Sequence, residues 1–252
     1  MNDLRNRIAS LIRRVAMIEG LSGQDLSGQD WSGVDLSGTD LSGTNLEGAN
    51  LKDANLSGST LRYANLMKAN LTGANLEGAN LSETDLYNAN FTNANLRNAN
   101  LIEAMASEAN LTGANLEGAN LKEADLEGAD LSNAELRFAD FTGAEIIEAN
   151  LERANLTEAN LEDASCFKAD LRKAKLSGTN FKGADLRNAK FWGANLDRAN
   201  LYRADLTEAD FRDANLKNIK MFAGDVKGSI YDSRTKLPFD DDEARQRGMI
   251  KK

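Results

Sequence analysis

The chain has 252 residues, a formal net charge of −9, one cysteine, one proline and no histidine. The missing histidine removes the usual general base, the Ser-His and Cys-His dyads and the commonest metal ligand, and a single cysteine builds neither a disulfide framework nor a zinc site. An acidic chain is also a poor partner for phosphate backbones, so nucleic acid is not the expected ligand.

Residues 1–20 come first. Leu4, Ile8, Leu11, Ile12 and Val15 follow the spacing of an amphipathic helix that Asn2 or Asp3 caps, with Arg5, Arg7, Arg13 and Arg14 on the opposite side. The segment lacks an uncharged apolar run long enough for a signal peptide or a membrane span. A cytoplasmic protein with no membrane contact is therefore expected, and the lone cysteine agrees with a reducing compartment.

From Leu21 to Val226 an apolar residue recurs at every fifth position without an insertion or deletion. The phrase is clearest from Ala109 to Asp130, which reads ANLTG ANLEG ANLKE ADLEG AD. A period of five winds its apolar set round a helix and throws it to alternate faces of a strand, so neither element buries it. The backbone must turn once per repeat, and a chain that turns at fixed intervals in one sense makes coils that stack. Carboxylates on such a convex rod are spread rather than gathered in a cleft, so neither catalysis nor a cofactor is expected.

The phrase A(N/D)LxG resembles the pentapeptide-repeat family. The resemblance implies an all-β fold, a right-handed quadrilateral β-helix with four repeats per coil, over residues 21–228. Residues 1–20 then form a short N-terminal capping helix on the open first coil, and residues 229–252 form a C-terminal cap and tail. The alternative for the basic helix is a membrane or a partner. Four repeats per coil also put residues 20 apart in one column. The aromatic centres Trp31, Phe91, Phe191 and Phe211 fall in one such column, and Glu77, Arg97, Glu117 and Arg137 alternate in sign along another.

The early repeats carry Gln24, Gln29, Val34, Thr39 and Thr44 where Ala stands later, which predicts a looser first coil. The central Leu or Phe is the expected core. Asn or Asp before it is expected to bond turn backbone, and glycines two residues after it are expected to supply positive φ. At Met105 and Ala106 the pattern breaks, and Met105 is expected to fold inward over the space that Ala106 leaves, the alternative being a partner-docking defect on the acidic belt. Cys166 takes a core position, which predicts an inert thiol. The tail leaves the period, with Ile230, Tyr231, Leu237 and Phe239 available to cover the last coil and Asp240 to Arg247 read as a short capped helix. It resembles the endings of cyanobacterial members of the family.

Function is expected on the surface. Residues 100–165 hold 15 acidic against 3 basic side chains, and residues 166–220 hold 12 basic against 7 acidic. Met67 with Tyr87, and Ile147 with Phe167, are outward neighbours in one column, and Trp192 also faces out. These residues and the charges of Glu103, Glu108 and Glu123 are the candidate protein-binding set. The expected partner is another protein, and the chain itself is expected to be a monomer or weak dimer. The cyanobacterial resemblance implies a regulatory role such as one in heterocyst differentiation. The alternative is a DNA mimic, because the resemblance extends to pentapeptide-repeat proteins that bind gyrase and confer fluoroquinolone resistance.

Overall fold

The computed structural model describes residues 20–222 and 224–252. The helix expected over residues 2–18 lies outside the described residues. Each repeat makes one side and one corner of a four-sided coil. Parallel bridges join residues 20 apart along the rod, as in Asp25↔Asn45, Asn45↔Asn65 and Asn65↔Asp85. At each corner the residue two after the centre has positive φ while the residue before it does not, the signature of a type II turn. Gly113, at φ 66°, meets that demand without a Cβ. The expected glycine is not required, however: Tyr63, Glu123 and Phe138 hold φ of 61°, 55° and 60° at the same place.

The hydrogen bonds explain why the residue before the centre is Asn or Asp. In the repeat 46–50, Leu46 N–H donates to Asn65 O at 2.7 Å and Gly48 N–H to Met67 O at 2.8 Å. Ala49 N–H donates to Leu46 O across the turn at 3.0 Å, and Asn50 N–H to Gln29 O in the preceding coil at 2.9 Å. Four of the five backbone donors are thereby satisfied, and the fifth, on Glu47, has no carbonyl in reach. Asn45 Oδ1 accepts it at 3.1 Å.

The same side chains also bond to one another. Asn45 Nδ2 donates to Asp25 Oδ1 at 3.0 Å, and Asn65 Nδ2 to Asn45 Oδ1 at 3.2 Å. Every such rung runs from one coil to the coil before it. The first coil places Asp25, Asp30, Asp35 and Asp40 at the foot of the four ladders. A carboxylate only accepts, so no amide N–H at this end lacks a rung beneath it.

Ala and the central residue point inward on either side of the ladder residue. Leu116 and Ala114 are both fully buried, as are Phe181, Phe191 and Phe211. The predicted aromatic column is real: the Phe191 and Phe211 rings stack with centroids 5.1 Å apart. Each buried Leu contributes about 1.5–3 kcal/mol, against a backbone ordering cost of about 1–2 kcal/mol per residue. In the first coil Gln24 and Gln29 turn out to solvent while Val34 is buried, and in the second Thr44 is buried and its Oγ1 donates to Leu21 O in the first at 3.0 Å.

Met105 does not fold inward. It is 48% exposed, while Ala106 is buried at 2%. Met105 occupies the ladder position, bridged to Asp85 and Asp125, and alternation along the strand aims its side chain away from Ala104 and Ala106.

The tail leaves the five-residue period but keeps the coil. The ladder residue Asn215 bridges Lys236, one residue beyond the usual step. The strands β1 (Ile230–Tyr231) and β2 (Ile250–Lys251) pair in parallel with Ile230 opposite Ile250, again 20 apart. Between them lies helix α1 (Asp241–Gln246), whose N-cap Asp240 accepts from Glu243 N–H at 2.9 Å. Tyr231, Ala244 and Met249 are buried, so the tail continues the core as one more coil.

Candidate protein-binding side

The four ladders divide the surface into four sides, and one side carries Tyr63, Tyr87 and Met105, three of the six large apolar side chains most exposed among the described residues. Its ladder runs Asn65, Asp85, Met105, Asp125, Glu145, Ser165 and Asp185. Met67, Tyr87, Ile147 and Phe167 each lie two residues after a member of that ladder, on one corner. Tyr63, Glu103 and Glu123 lie two before a member, on the other corner. Glu108 stands beside Ser107 on the first corner. Seven of the eight candidate residues are thus brought together, and Trp192 lies on a different corner.

Exposure grades this set. Tyr63 is 55% exposed, Tyr87 42% and Met105 48%, so a bare apolar spot lies around Tyr87. Met67, Ile147 and Phe167 are half-buried. Phe167 is covered further by cations, with Lys168 Nζ 5.0 Å and the Arg187 guanidinium 5.5 Å from its ring centre. Glu83, Asp85, Glu103, Glu108, Glu123, Asp125 and Glu127 surround Tyr87 and Met105, and Glu145 and Glu148 continue the acid beyond Ile147.

Few of these acids are neutralised. Arg62 pairs with Glu83 at 2.7 Å and Lys168 with Glu148 at 2.8 Å, and each cation holds its partner's carboxyl below the usual carboxylate range. No ion pair reaches Glu103, Glu108 or Glu123 among the described residues. On another side the predicted sign alternation is seen directly, where Arg137 meets Glu117 at 2.6 Å and Arg97 lies 3.7 Å from the same carboxylate.

Sequence reasoning missed the cost of a ladder break. Wherever Asn or Asp is replaced, the next backbone N–H but one loses its side-chain acceptor. Breaks at Glu145, Ser165, Lys190 and Lys220 leave the N–H groups of Ile147, Phe167, Trp192 and Phe222 without an acceptor among the described residues. Phe222, 76% exposed, stacks on Tyr202 with ring centres 6.3 Å apart. The signal was present as departures from the repeat, but it became readable only once the fifth N–H was accounted for.

Burial pushes the Cys166 thiol up to about 12, so it is not a thiolate near neutrality. Among the described residues no group of His, Cys, Asp and Glu side chains is arranged to hold a metal ion.

Eight copies of a family signature described as "Pentapeptide repeats" match the chain, the first over residues 21–58 and the last over 179–218. Comparison with curated protein sequences finds no significant match. Among solved structures, HetL from the cyanobacterium Nostoc sp. strain PCC 7120, a pentapeptide-repeat protein involved in heterocyst differentiation regulation, is 31% identical, with a TM-score of 0.62 over 90% of this chain and 95% of that one. Rfr23 from the cyanobacterium Cyanothece 51142 is 30% identical over 51% of this chain and 87% of its own, with a TM-score of 0.29. QnrB1, a plasmid-mediated fluoroquinolone resistance protein, is 23% identical over 82% of this chain and 93% of its own, with a TM-score of 0.37.

Proposed function

The chain belongs to the pentapeptide-repeat family, and from that premise we propose that it is a non-enzymatic module that binds another protein through the side centred on the Asp85–Glu145 ladder. The observation that carries this reading is the coincidence of apolar and acidic groups on that one side. Tyr87 and Met105 stand exposed there, with Met67, Ile147 and Phe167 along the same face and Glu103, Glu108 and Glu123 at its edges. Apolar anchors supply affinity and the flanking charges steer the approach. The absence of histidine and the buried, protonated Cys166 remove the commonest general base and the thiolate nucleophile. The likeness to HetL supports a regulatory role in a cyanobacterium, exercised in the cytoplasm by a monomer or weak dimer.

Ile147→Ser with Phe167→Ser tests the reading against a partner captured by the wild-type chain. Affinity should fall at least about tenfold at any salt concentration, with the fold retained because both side chains face out. Reversing Glu103, Glu108 and Glu123 to Lys should slow association mainly at low salt, since exposed charges are screened within about 8–10 Å in ordinary buffers. A DNA mimic of the gyrase-binding kind inverts that order. The charge reversals would then abolish binding, the apolar changes would leave it, and a supercoiling assay would register inhibition by the wild-type chain. Capture unaffected by either set moves the docking surface to another side.

A further inference from the structure

The neighbouring side offers a recess of the opposite charge. Its ladder runs Asp170, Lys190 and Asp210, and Trp192 and Arg212 stand on its corner with Arg172. A trough of about 520 Å³ is lined by Arg172, Lys190, Trp192, Asp210 and Arg212. A second trough of about 540 Å³, lined in part by Lys168, Asp170 and Lys190, adjoins it through Lys190.

Three observations converge on Lys190 and Trp192. First, Lys190 breaks the ladder, so Trp192 N–H has no acceptor among the described residues. In intact repeats this N–H donates to the outward ladder side chain, so here a donor faces the trough. Second, the arginines are already engaged: Arg172 meets Asp170 at 2.7 Å and Arg212 meets Asp210 at 2.6 Å. The lysines are held more loosely, with Lys190 Nζ 3.9 Å from Asp170 and Lys173 Nζ 3.7 Å from Glu152. Third, the Trp192 ring is half-buried, with Lys173 Nζ 4.9 Å from its centre. An ammonium 3.9 Å from an aspartate that Arg172 already pairs, an N–H without an acceptor among the described residues and an aromatic surface lie together.

We propose that this trough binds an acidic extended segment of a partner protein, with one carboxylate on Lys190 Nζ and Trp192 N–H and a neighbouring apolar side chain against the indole. The proposal rests on the reading of the rod as a protein-binding module and adds a second contact of stated chemistry. A carboxylate satisfies both the cation and the orphaned donor, with the charge-assisted geometry such pairs favour. Single-stranded nucleic acid fits less well, because Asp170 and Asp210 flank Lys190 at about 4.8 Å on either side along the ladder. A run of phosphates would meet alternating charges there, whereas nucleic-acid channels offer a continuous positive track.

The chain contains two tryptophans, and Trp31 is buried, so Trp31→Phe makes Trp192 the sole emitter. Acetyl-Leu-Glu-Leu-Glu-Phe-amide is titrated against it, with the Gln-for-Glu analogue and oligothymidylate as controls. The same titrations on the wild-type chain, read from the Trp192 amide resonance, cover the case in which Trp31→Phe impairs folding. The Glu peptide should shift both signals saturably, and the controls should not. Lys190→Asn should weaken binding at least about tenfold while leaving the melting temperature unchanged or higher, because Asn removes the cation and returns an acceptor to Trp192 N–H. A flat titration, equal binding of the Gln peptide, or full binding by Lys190→Asn overturns the proposal. Tighter binding of oligothymidylate overturns it in favour of nucleic acid. If the Glu peptide fails while Ile147→Ser with Phe167→Ser still releases the captured partner, the trough falls and the protein-binding reading stands.

Discussion

Asn180→Ala removes one rung from an otherwise continuous ladder, Asp140, Asn160, Asn180 and Asn200. Asn180 Nδ2 donates to Asn160 Oδ1 at 2.8 Å and to Glu162 Oε2 at 3.3 Å, and its Oδ1 accepts from Lys182 N–H at 3.2 Å and from Asn200 Nδ2 at 2.8 Å. A net value of about 0.5–1.5 kcal/mol per hydrogen bond gives about 2–6 kcal/mol for the four. Partial access of water to this half-buried side chain places the expected loss near the lower end, about 2 kcal/mol. For a chain of 150–250 residues that corresponds to a fall of about 4–8 °C in melting temperature, if the rod melts as one unit. Solenoid energetics act between neighbours, so amides of the coils spanning 160–200 should also exchange faster than those near Leu76. Thermal melts by circular dichroism and hydrogen exchange read by mass spectrometry measure both. Asn180→Asp keeps the acceptor but turns a carboxylate oxygen toward Asn160 Oδ1, and should fall between wild type and Asn180→Ala. A melting temperature for Asn180→Ala within about 1 °C of wild type would refute the ladder as a source of stability.

Met105→Asn should stabilise the rod by about 1 kcal/mol, because it gives Ser107 N–H an acceptor and Asp85 a rung at the loss of a half-exposed thioether, and an unchanged melting temperature would count against it. Stability should also be nearly flat from about pH 8 to pH 5, since no histidine titrates there. Hydrogen bonds from Arg187 hold the Asp185 carboxyl below its usual value, and hydrogen bonds from Thr142 and Lys122 outweigh burial to do the same for Asp140. Carboxyls depressed in the folded state stabilise it above their unfolded pKa of about 3.9, and that contribution is lost as pH falls through the folded values. Melting temperatures measured across pH should therefore drop below about pH 4, and a decline beginning near pH 6 would contradict this assignment.

The period of five was enough to require a turn in every repeat, and the columns at steps of 20 were enough to stack Phe191 on Phe211 and Arg137 on Glu117. Those features depend on spacing alone, which a sequence displays directly. Met105 was misread because volume was weighed before direction. Its neighbours Ala104 and Ala106 take the inward positions, so strand alternation had already committed Met105 to the outside. The rungs between amides were less accessible still. Asn or Asp in most repeats was legible as a turn residue, but the second role of Asn requires knowing that the next coil sets another Asn or Asp about 4.8 Å away. Lys190 looked like one more charge on a basic stretch until the N–H that it leaves unpaired gave it meaning. In the tail, the single extra residue between Asn215 and Lys236 hid a coil that the backbone nevertheless completes.

The four aspartates at the foot of the ladders give each ladder a direction. An asparagine above them hands its amide hydrogen to the coil before it and offers its oxygen to the coil after it, as Asn45 does between Asp25 and Asn65. A carboxylate has no hydrogen to hand down, and the coil of Asp125, Asp130, Glu135 and Asp140 lacks an amide on all four ladders in the middle of the rod. Above it the relay begins again, with Asn150, Asn155 and Asn160 donating down to Asp130, Glu135 and Asp140. The rod is therefore two successive runs of amides, each standing on a coil whose side chains only accept.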